Sequence, residues 1–141
     1  MNESASNKPH WSFWVIGAVA LIWNGLGVAN YFAQMNPEML EMYREVERAM
    51  IVGRPAWATA GFALAVFGGT IGSILLLLRR SAAFYLFIIS LVGVITAMAH
   101  SLGLEIEFGA GEIAGIVVMP GAVAGFLIWY SQHSERRSWI R

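Results

Sequence analysis

Apolar residues run almost unbroken over four stretches of the chain, about 11–33, 55–79, 82–104 and 112–131, and polar residues collect between them. An α-helix rises about 1.5 Å per residue and the hydrocarbon core of a bilayer is about 30 Å thick, so roughly 20 predominantly apolar residues span it. Each stretch meets that length, and Asp, Glu, Lys and Arg are absent from all four apart from Arg79 and Glu112 at their ends. The pattern predicts an all-α membrane protein, an antiparallel four-helix transmembrane bundle over residues 11–131, with tails at 1–10 and 132–141. Lys8 and the Ala18, Ala20 pair give the first stretch some likeness to a signal peptide. It is far longer than an h-region of roughly 7–15 residues, so it reads as an uncleaved helix.

The connections differ in kind. Segment 36–51, NPEMLEMYREVERAMI, predicts a short amphipathic helix over about 37–51 in the first outer loop. Asn36 can cap its first amides, and Pro37 suits the first helical position. Met39, Tyr43, Val46 and Met50 recur at helical spacing, and Glu41 with Arg44 and Glu45 with Arg48 can pair on the polar side. Gly53 and Pro55 end this helix and start the second span. Arg79-Arg80-Ser81 allows only a tight hairpin, 105–111 is a flexible acidic link, and the tail SQHSERRSWIR is expected to be loosely ordered.

Composition agrees with membrane residence: of 141 residues 57% are hydrophobic and 13% charged, against roughly 25% charged in a soluble chain. Nine Lys and Arg balance nine acidic residues, which leaves no basic face for nucleic acid. With no cysteine there is no disulfide, thiol nucleophile or thiolate metal site. Lys8, Arg79, Arg80, Arg136, Arg137 and Arg141 fall on one side of the predicted topology, and Arg44, Arg48 and Arg54 on the other. Positive charge in short flanks is retained in the cytoplasm. Both termini are therefore expected to be cytoplasmic, with Glu38, Glu41, Glu45, Glu47, Glu105, Glu107 and Glu112 outside. Trp11, Trp14, Trp129 and Tyr130 at the inner boundary, and Tyr31 and Trp57 at the outer one, suit aromatic belts.

In lipid, close backbone approach and interhelical hydrogen bonds drive helix packing. Ala58, Gly61, Ala65, Gly68 and Gly72 form a small-residue seam down the second span, Ser90, Gly93 and Ala97 one on the third, and Gly111, Gly115, Gly121 and Gly125 mark the fourth. Pro120 should kink or loosen that last helix and act as a hinge. Asn24, near the midplane on the face of Gly17, Ala20 and Gly27, is expected to face protein. Its partner would be a hydroxyl such as Thr70 or Thr96, or an open carbonyl.

Candidate chemistry lies toward the outer end. Asn30, Thr59 and His100 share a depth with Gln34 and Ser101, and Arg54, Glu105 and Glu112 stand at the rim. His100 extends the Ser90, Gly93, Ala97 face, and an inward ionisable residue in a membrane helix is a functional hypothesis by default. Asn30, Thr59, His100 and Glu112 are therefore the candidate ligand-binding set. No fixed ligand spacing supports a metal, no motif supports a cofactor, and no Ser-His-acid order or phosphate loop supports catalysis. The expectation is a non-enzyme.

WNGLGVANYFAQM, PEMLEMYREVERAMIVGRPAW and FALAVFGGTIGSILLLLRRSAAFYLFIISLVG, over roughly residues 11–100, resemble a group of small, largely uncharacterised four-span bacterial membrane proteins. Some of that group carry a loose sugar-transporter label. The resemblance implies the cytoplasmic (inner) membrane and carries over no site residues. Small multidrug exporters, another four-span class, need an acidic residue in the first span, and this chain has none there.

Two functions follow as expectations. The first is an accessory or interaction subunit that packs in the bilayer against itself, as a homo-oligomer, or against a larger membrane protein. The second is a transporter or binding protein for a small solute, a sugar being one case, with an outward-facing polar pocket from Asn30, Thr59 and His100 and a hinge at Pro120.

Overall fold

The computed structural model describes residues 8–104 and 109–141. Every element among them is helical: α1 (Trp11–Met35), α2 (Pro37–Leu40), α3 (Glu45–Val52), α4 (Ala56–Leu77), α5 (Ala83–Leu102), α6 (Ala110–Ile113), a π-helical turn (Ala114–Val118) and α7 (Met119–Arg136). Of these, α1, α4 and α5 are long and apolar enough to cross a membrane. Glu105 and Glu107 lie outside the described residues, as does most of the N-terminal tail.

The region of the fourth expected span divides into α6, the π turn and α7. Met119 N–H reaches back five residues to Ala114 O. Pro120 lacks an N–H and its ring crowds the carbonyl four residues back, and a widened turn just upstream accommodates both effects. The helix expected over 37–51 also differs from expectation. Asn36 Oδ1 does accept from Glu38 N at 2.9 Å and Pro37 does open α2, but residues 41–44 form a turn and Arg44 becomes the extended N-cap residue of α3. The pairs Glu41–Arg44 and Glu45–Arg48 are replaced. Among the described residues the ion pairs are Arg44–Glu47 at 2.7 Å and Arg44–Glu112 at 2.9 Å.

Helix α4 packs on α5 along the small-residue seam, and Ala58, Gly61, Ala65, Gly68 and Gly72 are all buried. The approach is backbone to backbone. A Cβ on Gly93 would stand 2.4 Å from Ala65 N and 2.5 Å from Gly61 O, which no side chain can occupy. Ser90 Oγ donates to Ala65 O at 2.7 Å across the same seam. Helix α1 packs on α4 as well, along the neighbouring face of Val66 and Gly69. A Cβ at Gly69 would fall 1.9 Å from Asn24 Oδ1, so the absence of a side chain there is what admits the amide. Asn24 Nδ2 donates to Ala20 O at 2.8 Å within α1. Thr70 and Thr96 instead donate to Val66 O and Val92 O of their own helices, so neither hydroxyl is the amide's partner.

Helix α7 completes the series by packing on α5. Gly121 lies against the Met98 methyl at the distance of ordinary contact, 3.4 Å. Gly115 and Gly125, expected in a packing face, have nothing within 4 Å of where a Cβ would stand. The glycine spacing of this last helix marks no tight seam, because Gly121 makes ordinary contact with α5 while Gly115 and Gly125 meet no neighbour.

The C-terminal segment, expected to be loose, is docked. Arg79 and Ser138 both have positive φ, 59° and 57°, and each follows a helix end closed by a pair of turn hydrogen bonds. Arg80 N donates to Leu75 O and Arg79 N to Leu76 O, and likewise Trp139 N to Ser134 O and Ser138 N to Glu135 O. These are Schellman turns without the usual glycine. They bring residue 141 beside the α4–α5 hairpin, where Arg141 N donates to Arg79 O at 2.9 Å and Ser81 N to Arg141 O at 2.8 Å. Arg79 Nε donates to Trp139 O at 2.7 Å, and Ile140 is buried in a cluster with Phe13, Leu76, Phe87, Leu127 and Tyr130. The start of α1, the α4–α5 hairpin and the chain end therefore share one end of the molecule.

Candidate functional site, a cavity between the first and last helices

The packing order α1, α4, α5, α7 is an arc. Its two ends meet near the termini, where the Phe13 ring lies 6.3 Å from that of Tyr130 and 6.1 Å from that of Trp139. Toward the loops α1 and α7 part, and between them opens a cavity of about 910 Å³. That is near the top of the roughly 300–1,000 Å³ range of small-molecule sites. Its deep walls are apolar: Leu26, Val66, Val94, Met98, Val123 and Leu127, with the Asn24 amide and Ser90 at the bottom already committed to backbone carbonyls. Pro120 and Gly115 form part of the α7 wall, next to the π turn.

The other polar groups gather at the mouth. Asn30, Gln34, Tyr43, Arg44, Glu47, Arg54, His100, Ser101 and Glu112 line it. The turn ahead of α3 crosses it like a strap. Tyr43 donates its hydroxyl to Asn30 Oδ1 on α1, and Arg44 Nη2 bonds Glu112 Oε1 on α6 while its Nη2 and Nε bond Glu47 Oε1. The hydrogen bonds that Arg44 donates to Glu47 first, and then to Glu112, hold its guanidinium above its already high ordinary pKa. Glu112 also closes the N-terminus of α6 by accepting from Gly109 N at 3.0 Å.

Arg54 is held differently. Its Nε donates to Thr59 Oγ1 at 3.2 Å, its Nη2 donates to Gln34 Oε1 at 2.9 Å, and its Cζ lies 5.2 Å from the centre of the Phe62 ring. All three partners are neutral, and among the described residues no carboxylate pairs with it. Burial pushes this guanidinium down from its ordinary pKa, yet an arginine stays charged at any physiological pH.

Of the four expected ligand-binding residues, Asn30, His100 and Glu112 line the cavity. Thr59 does not, and acts through Arg54. His100 faces inward as its helical phase requires, with its ring edge-on to Trp57 at 5.5 Å. By sequence position alone Arg54 stands at the rim without a role. Its grip by Gln34, twenty residues away, and by Thr59, five residues away, is a tertiary relation that spacing does not disclose.

Comparison with protein-family models, with curated proteins and with solved structures finds no match to this chain. The site must therefore be read from its own chemistry. Among the described residues no three His, Asp or Glu side chains gather where a metal could sit. The strongest arrangement the cavity offers is recognition: a deep apolar volume that orders a nonpolar body, and a polar rim that fixes one end.

Proposed function

We propose that the protein is a non-enzymatic integral membrane protein that receives a small, largely apolar molecule between α1 and α7. The observation that carries this reading is the cavity itself, closed toward the termini by Phe13, Tyr130 and Trp139 and open beneath the 41–44 strap. In this reading the segment from α6 through α7 is a fourth crossing, so the chain is a four-helix bundle with 41–52 on its outer surface. The basic residues near the termini support a cytoplasmic position for that end, as in a protein of the inner membrane. The cavity mouth opens to the outside.

This favours the binding or transport function over a purely accessory one. A subunit that acted by packing alone would have no use for a cavity of this size, since close-packed interiors leave few voids larger than a water molecule. Movement of the α7 wall about the π turn and Pro120 is the natural way to admit or release an occupant, because the local helix hydrogen-bond ladder is already shifted there.

The test is native mass spectrometry of protein extracted gently in a mild detergent, beside Gly115→Phe and Ala97→Phe. Both positions line the cavity, and Gly115 has open space around it. The wild type should carry a non-covalent small molecule that both variants lack while unfolding at the same temperature. A wild type as empty as the variants, and equally unable to take up molecules from its own lipid extract, would sink the proposal.

A further inference from the structure

Arg54 assigns a charge to the occupant. Burying a cation is costly unless it is paired, and this one is half-buried at a cavity mouth with only neutral partners among the described residues. A guanidinium has five N–H donors in a fixed fork. One Nε–H is committed to Thr59 and one Nη2–H to Gln34, and that leaves the two Nη1 hydrogens and the second Nη2 hydrogen. One Nη1 hydrogen and the free Nη2 hydrogen run parallel, and that edge matches two oxygens of one carboxylate or phosphate. Gln34, Thr59 and the face of Phe62 already hold the fork, so little orientational freedom is lost when an anion arrives.

The neighbouring cation at the mouth is unlike it. Arg44 is committed to two carboxylates, Glu47 and Glu112, which leaves Arg54 as the cation without a carboxylate partner at the cavity among the described residues. Beyond the rim the lining offers no further charge: it is aliphatic and aromatic apart from Asn24 and Ser90, which already bond backbone carbonyls. We propose that the cavity takes an anionic amphiphile: a single carboxylate or phosphate head at Arg54 and an apolar tail lying between α1 and α7. This rests on the binding reading above and names its ligand class.

The experiment measures binding of three single-chain probes, dodecanoate, dodecyl phosphate and dodecanol, to the full chain in a maltoside detergent by native mass spectrometry. Wild type, Arg54→Gln, Arg54→Lys and Gly115→Phe are compared, with unfolding temperatures as a folding control. Charge-assisted hydrogen bonds to a held guanidinium should favour at least one anion over the alcohol by roughly ten-fold or more. Arg54→Gln should remove that preference and leave dodecanol binding unchanged. Arg54→Lys should keep part of it, and Gly115→Phe should lose all three probes. The ratio of dodecanoate to dodecyl phosphate tells which head is preferred. Equal binding of anions and alcohol by the wild type, or an anion preference that survives in Arg54→Gln, would overturn the assignment and leave the cavity reading standing. No binding of any probe, with Gly115→Phe indistinguishable from wild type, would overturn both.

Discussion

Arg44 and Glu112 are 68 positions apart in the chain, and their side chains meet at 2.9 Å across the mouth of the cavity. With the Tyr43–Asn30 hydrogen bond, this contact strings the 41–44 turn between the first helix and the start of the last. Both ionic partners are exposed, so the pair is screened by water and salt and suits a latch better than a brace.

Glu112→Gln should therefore leave the unfolding temperature nearly unchanged while freeing the strap. The expected result is faster amide hydrogen exchange confined to residues 41–52, with protection in α4 and α5 retained. Protection unaltered in Glu112→Gln would show that the ion pair does not hold the strap.

The α4–α5 seam gives a sharper contrast. Gly93→Ala would put a Cβ against backbone atoms of α4, at 2.4 Å from Ala65 N and 2.5 Å from Gly61 O, and backbone cannot rotate away. The helices must separate, at a cost of about 1–3 kcal/mol or more, as for other overpacked contacts. Gly25→Ala meets nothing within 4 Å, and the gain in helix propensity, up to about 1 kcal/mol, should make it neutral or stabilising. Equilibrium unfolding in mixed micelles would rank the two, and equal stability would refute the close-packed seam.

Some of this architecture is legible in the sequence and some is not, for physical reasons. The seam of Ala58, Gly61, Ala65, Gly68 and Gly72 is readable because small residues at alternating spacings of three and four define a helix face, whatever packs on it. The inward direction of Asn24 and His100 follows from the same periodicity. Gly115 and Gly125 have the same spacing without the contact, because spacing says which face is small and not which helix arrives there. The break at 41–44 follows from Arg44 reaching Glu112, and the docked tail from Ile140 finding Phe13 and Leu76. Both are long-range contacts that override a local preference. Pro120 announces a disturbance in the last helix, though its form, a π turn ahead of the proline, depends on how the helix relaxes.

Asn24 and Gly69 should be energetically coupled. Gly69→Ala intrudes on the amide, whose Oδ1 would be 1.9 Å from the new methyl. The amide can move only by giving up its bond to Ala20 O. Asn24→Ala alone should cost little, since such intramembrane hydrogen bonds average about 0.6 kcal/mol. In the double variant the methyl has room, so the combined cost should fall below the sum of the single costs by about 0.5–3 kcal/mol. Additivity within error would mean that the two side chains do not share this space.

The docked chain end yields the last expectation. Ile140 is fully packed among Phe13, Leu76 and Leu127 at 2% exposure, so Ile140→Ala should destabilise by about 2–5 kcal/mol, as large-to-small changes in a core do. Ser138 offers an opposite effect two residues earlier. Its φ of 57° is left-handed, a conformation that costs an ordinary L-residue roughly 1–2 kcal/mol and glycine much less. Ser138→Gly should therefore be neutral or stabilising, provided the gain exceeds the extra flexibility glycine gives the unfolded chain. Ser138→Val should be distinctly worse, because a β-branched side chain is least tolerant of that geometry. The order Gly, Ser, Val in unfolding temperature, together with a large loss for Ile140→Ala, would establish that the Schellman turn and the isoleucine anchor act as one unit. If Ile140→Ala is silent, the tail does not dock in the membrane-embedded protein, and the rank at Ser138 should then vanish with it.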